Sequence, residues 1–236
     1  MATPPAQPHD LPVELISDAF FIQSSIEMAR GMRINRNMVV LRQDGELALL
    51  NPVRLTPEGE ARLEALGEVK HLIRLGFFHG VDDAYLKDRY GATFWCQARS
   101  NVHPEPTPDR ILEESVELPF RDMSLFVFHQ TKKPECAMVW NRDGGLLVAC
   151  DSIQHHVSTP RCSFMAKAVM RAMGFMRPAN IGPPWRKFMT KKGGSLQPDF
   201  ERLLGLDFDH LVGAHGTPLR GGAKAALGAT VARVYG

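Results

Sequence analysis

A layered α/β domain is the fold class this sequence predicts, and three observations predict it. Short apolar runs of strand length alternate with amphipathic helices, the helices begin on recognisable caps, and the chain divides into two similar halves. With 236 residues, 44% of them hydrophobic, a single domain can bury a sizeable core.

Residues 1–14, Pro-rich and polar, are expected to form a flexible or loosely docked arm, with residues 15–236 making one domain. NMVVLRQDGELALLN holds two runs of strand length around Asp44-Gly45, a hairpin signal. Thr56-Pro57 opens a helix, with Thr as N-cap and Pro at the first helical position, where its missing N–H costs nothing. The same dipeptide recurs at Thr107-Pro108, Thr159-Pro160 and Thr217-Pro218, predicting one short helix and two longer ones. VKHLIRL (Val69 to Leu75) reads as a buried strand, GFFHGVDD as a loop, Ala84 to Tyr90 as a helix and TFWCQ as the next strand. After a Pro-rich connection, NVHPEPTPD, come three strands, SLFVFH, CAMVWN and GLLVACD, the last two joined by an Asp143-Gly144 turn. A helix from Pro160 to about Ala172 carries Phe164, Ala168, Val169, Ala172 and Met173 on one face, expected to meet a core. A basic loop, a short helix, the strand HLVGAH and a closing helix to Val234 complete the chain.

The formal charge of +2 is too small to announce nucleic acid or membrane as a partner. It conceals eight basic residues between Arg161 and Lys192 with no acidic one among them, which leaves the rest of the chain net acidic. The four cysteines show no metal-ligand spacing, and three of them, in or beside apolar runs, read as small buried hydrophobes. The N-terminal sequence lacks an apolar signal core, and no apolar stretch approaches the roughly 20 residues of a membrane-spanning helix, so a cytoplasmic protein is expected.

Two strand endings carry the chemistry: GLLVACDSIQHH (Gly145 to His156) and HLVGAHGTPL (His210 to Leu219). Each apolar run stops near a residue able to bind metal, Asp151 in one and His215 in the other. A buried strand delivers the side chain at its C-terminal tip into a cleft at the sheet edge. The bland alternatives are a turn cap for Asp151 and a helix-start residue for His215. Of His155 and His156, at most one is expected to reach a shared site, because neighbouring residues point in different directions. His71 reads as structural, and His9 and His103 as exposed. No nucleophile elbow, P-loop or strand-to-helix GxGxxG is present. The basic segment has three readings: a lid that binds an anionic substrate through Arg186 and Lys187, a solvated loop, or a nucleic-acid contact using Trp185 and Phe188.

This order of elements, with Asp151 in LLVACDS and His215 in GAHGTPL, resembles the metallo-β-lactamase-like superfamily. The resemblance runs from about Asn37 to Val234. It implies a four-layered αββα sandwich, with Asp151 in the place of the bridging Asp and His215 in that of the final His. The His-x-His-x-Asp-His motif expected after VKHLIRL is reduced to His79 in GFFHGVDDAYLKDRY, with Asp83 in the Asp position and Val81 and Ala84 replacing two histidines. The third His is represented at best by His129, with Lys132 nearer its usual spot.

What the resemblance then implies is a degenerate, mononuclear site drawn from His79, Asp83, Asp151, His215 and His129, holding zinc, iron or manganese, or no metal at all. Asp83 or Asp82 would orient a water and take its proton, and His155, Arg186 and Lys187 would contact a small anionic ester, thioester or amide. The rival reading is a metal-free descendant of the fold that binds a small ligand or a protein. The sequence leaves the oligomeric state open.

Overall fold

The computed structural model describes residues 5–98 and 102–236; residues 1–4 of the expected arm and residue 101 of the Pro-rich connection lie outside them. Seven strands form the first sheet in chain order: β1 (Val13–Ile16), β2 (Ala19–Ala29), β3 (Met32–Gln43), β4 (Glu46–Leu50), β5 (Glu68–Ile73), β6 (Thr93–Cys96) and β7 (Arg110–Ile111). The first four pair antiparallel, and β4 to β7 run parallel. The parallel crossovers carry α1 (Pro57–Glu64) and α2 (Asp83–Tyr90). Thr56 caps α1 as expected, its hydroxyl accepting from the Gly59 N–H. Residues of the arm lie against this sheet: the Thr56 N–H donates to His9 Nε2 at 2.9 Å, and the Asp10 N–H to the Gln23 carbonyl.

The second sheet has the order β13-β10-β9-β8, from β8 (Met123–Val127), β9 (Cys136–Trp140), β10 (Leu146–Val148) and β13 (His210–Val212); β11 (Ile153–Gln154) and β12 (Asn180–Ile181) form a separate two-stranded ribbon. Around it lie α4 (Pro183–Met189), α5 (Gln197–Leu204) and α6 (Ala223–Tyr235), whereas α3 (Phe164–Ala172) packs on β3 of the first sheet.

Strand periodicity of two sorts the apolar side chains into three cores. Leu41, Leu50, Ile73 and Trp95 of the first sheet meet Met138, Trp140 and Val148 of the second. The first sheet's other face, with Val40, Leu49 and Leu72, is covered by Leu63 of α1 and Leu86 of α2. The second sheet's other face, with Val139, Leu147 and Leu211, is covered by Trp185, Phe200 and Leu227 of α4, α5 and α6. Helix, sheet, sheet, helix is the αββα order the resemblance implies.

Three local expectations are corrected. Thr107-Pro108 opens no helix: Asp109 takes the Phe94 N–H on its carboxylate and donates its own N–H to the Phe94 carbonyl, so the chain enters β7. Thr217-Pro218 opens none either, because Thr217 N–H donates to His155 O and Leu219 pairs with Leu211; α6 starts only after Gly222. After Thr159-Pro160 the helix is delayed to Phe164, capped by Ser163, because Arg161 has a left-handed φ of 57°. The buried side of α3 is also not the expected one. Ala166 and Met170 are buried, whereas Phe164 is 89% exposed and Val169 and Met173 are partly exposed.

Candidate metal centre

β10 and β13 are parallel neighbours with Val148 opposite Val212. Asp151 and His215 each stand three residues beyond those partners, so the sheet register itself brings the two tips side by side. His79 arrives from the first sheet, on the loop after β5. That loop passes so close to the Asp151 strand that a Cβ on Gly76 would lie 2.3 Å from Cys150 Sγ. Glycine is therefore required at 76 by contact rather than by dihedral angle.

The three side chains converge. His215 Nε2 is 3.2 Å from Asp151 Oδ1, and His79 Nε2 is 3.6 Å from Asp151 Oδ2. One donor atom from each residue falls within 4.8 Å of the others, the spacing of a shared cation site. His215 Nδ1 is 2.6 Å from the Asn35 carbonyl, which sets Nδ1 as the protonated nitrogen and turns Nε2 toward Asp151. The turn behind His215 is locked from the same strand: Asn35 Nδ2 donates to Gly216 O at 2.7 Å, and Gly216 N–H donates back to Asn35 Oδ1. Gly216 has a φ of +93°, and a Cβ there would lie 2.2 Å from His155 O.

The electrostatics favour the ligand state of Asp151 and His79. Burial alone would raise the Asp151 pKa, but the two histidines outweigh it and hold the carboxyl well below the usual carboxylate range. Burial pushes His79 down, against the pull of Asp151, so its imidazole is neutral near pH 7. Ionised Asp and neutral His are the forms that bind a divalent cation without first losing a proton.

The remaining expected site residues lie elsewhere, for physical reasons. Asp82 pairs with buried Arg36 at 2.6 Å, and Asp83 faces buried Arg74 at 3.3 Å. Arg74 in turn donates to the carbonyls of His79 and His103. Both carboxylates thus neutralise arginines that brace the His79 loop, and neither joins the donor cluster. His129 sits on the surface beyond β8, 2.9 Å from Glu114 and beside Arg202. His155 is buried under the Gly216 turn and donates nothing to the cleft, while its neighbour His156 does line it. Arg186 and Lys187 lie on α4 outside the cleft, to which that helix contributes Pro184, Trp185 and Phe188 instead. Trp185 is 4% exposed, which leaves no free face for stacking on a base.

The cluster forms the floor of a cavity of about 740 Å³. Its polar lining also includes Asn35, Arg36, His103 and Gln154, none of them expected from the sequence, and His156, the one member of the His155-His156 pair that reaches it. One signal was available for Asn35 and Arg36: they stand with Asn37 as a polar run directly before the apolar Met38 to Leu41 of the same strand, and polar groups that such a strand buries need built partners. His103, expected to be exposed, is half-buried because its carbonyl is tied to Arg74. Among the described residues, no helix is long and apolar enough to cross a membrane.

No protein-family model matches this chain, and no curated protein matches it in sequence. Solved structures do match. The DIM-1 metallo-β-lactamase is 10% identical, with 97% of this chain and 96% of that chain covered and a TM-score of 0.66. A metallo-β-lactamase from Hirschia baltica is 13% identical, with 96% and 97% covered and a TM-score of 0.61. The FIM-1 metallo-β-lactamase from Pseudomonas aeruginosa, in its mono-zinc form, is 9% identical, with 98% of each chain covered and a TM-score of 0.61.

Proposed function

Starting from the metallo-β-lactamase fold that this chain has, we propose that it is a hydrolase with a mononuclear metal site at His79, Asp151 and His215, acting on an ester, thioester or amide. The observation that carries the proposal is the convergence of two imidazoles and one carboxylate, from three separate strand ends, on one point. Three protein donors leave coordination positions open, as catalytic sites do and closed structural sites do not. The donor set suits zinc and equally iron or manganese.

A divalent ion held there would polarise a carbonyl and bring the pKa of water toward neutrality. The chain's own contribution is positional. Asn35 holds the His215 ring by Nδ1, Gly76 admits the His79 loop against the Asp151 strand, and Arg74 ties that loop from behind. Apart from Asp151, no carboxylate lines the cavity among the described residues. The roles first expected of Asp82 and Asp83 are therefore left without a geometric basis.

Metal content of the protein purified without chelator or affinity tag, measured by mass spectrometry, tests the reading. One zinc, iron or manganese per chain is expected, lost in both Asp151→Ala and His215→Ala. If wild type and variants alike carry no metal, the proposal fails in favour of a ligand-binding descendant of the fold.

A further inference from the structure

We propose that the cavity above the three ligands selects a substrate with an extended apolar body and a single polar head, an acyl-chain ester, thioester or amide rather than a small anion. The inference rests on the metal-site reading for where the head lies; the walls carry the rest.

The lining divides by element. Polar groups come from the turns that hold His79, Asp151 and His215 and from mid-β3, while the hairpin tip and α3 contribute only apolar ones. Met32 and Ile34 of the hairpin pack against Met170 of α3, and Met28, Val169 and Met173 extend the same apolar wall around the cavity. Phe78 and Phe188 close a third side, packed edge to face with centroids 5.0 Å apart. The wall is also incompletely buried: Met28 is 58% exposed, Met173 44% and Phe188 42%. Apolar side chains of this size, clustered around one concavity, gain free energy only when something apolar covers them. Flexible thioether chains fit tails of varied shape, and the volume is that of a pocket for a medium-sized organic ligand.

Charge argues the same way. Arg36 is the only lysine or arginine that lines the cavity among the described residues, and Asp82 and the Pro52 carbonyl already occupy its guanidinium. No cation is left there to pair with an anionic substrate, and Arg186 and Lys187 lie outside.

Calorimetric titration with acetate, hexanoate and decanoate, on metal-loaded and on chelator-treated protein, tests the inference. The dissociation constant should fall about fourfold for each added methylene. The increment should be the same in both forms, because the walls and not the ion bind the tail. Met28→Glu and Met173→Glu change half-exposed positions that folding does not depend on; each should weaken decanoate by about tenfold and leave acetate unchanged. Decanoate binding no tighter than acetate, or decanoate affinity unchanged in both variants, would overturn the inference. The two readings fail separately. A chain-length increment in a protein that never holds metal sinks the hydrolase and keeps the apolar pocket; metal binding and ester hydrolysis with a flat chain-length profile does the reverse.

Discussion

Arg74 is 1% exposed, and its guanidinium meets Asp83, the carbonyls of His79 and His103 and the Cys96 thiol, with the Phe94 ring 5.4 Å away. Burial pushes the Asp83 pKa up to about 6 against the pull of Arg74 and Arg36, so the pair is charged on both sides near pH 7. Removing one member of such a pair leaves an uncompensated buried charge. Asp83→Ala should therefore cost about 3–5 kcal/mol in denaturant unfolding. Metal per folded molecule should be unchanged, because Asp83 is no ligand; loss of metal without loss of stability would restore its expected role. The spacing of His79 and Asp83 in the sequence suggested a shared site. A residue-level pattern cannot show that an arginine nine positions back in the chain intercepts the carboxylate.

Among the elements, α3 stands apart. It buries only Ala166 and Met170, in a small cluster with Cys162 and neighbours Met32, Ile34 and Phe175. α6, by contrast, buries Leu227 and Val231 in the large outer core. An element with so few buried contacts opens at a small fraction of the global free energy. Hydrogen exchange should accordingly find α3 amides protected far less than those of α6, with exchange in α3 insensitive to mild stabilisation of the whole fold. Equal protection would mean that α3 is part of the global unit. Its apolar periodicity was plain in the sequence, yet the expected buried face carries Phe164, Val169 and Met173 partly or wholly in solvent. Periodicity identifies an apolar stripe; it does not say whether a core or an open cavity lies against it.

At the scale of the whole molecule, His156 couples pH to global stability. Burial first, with His215 and His155 adding, pulls its pKa from 6.5 down to about 4. Between those values the unfolded chain binds a proton that the folded chain does not. Stability is thus complete above about pH 6.5 and falls as pH drops toward 4, by about 3 kcal/mol. Urea unfolding across that window should show the loss, and His156→Gln should flatten most of it; an unchanged slope would assign the acid sensitivity to other groups. The Thr56-capped helix, the hairpin at Asp44-Gly45 and the two strand ends with Asp151 and His215 were determined by the sequence, because periodicity, turn chemistry and caps act over a few residues, whereas the other Thr-Pro pairs were overridden by tertiary contacts. Tertiary structure alone decided which titratable groups meet. It set Asp151 beside His215 through the β10–β13 register, turned Asp82 and Asp83 to arginines, and stood α3 against the β2–β3 hairpin to wall an apolar cavity. Those outcomes depend on contacts between residues far apart in the chain, where the burial of one charge is decided by the partner that arrives to meet it.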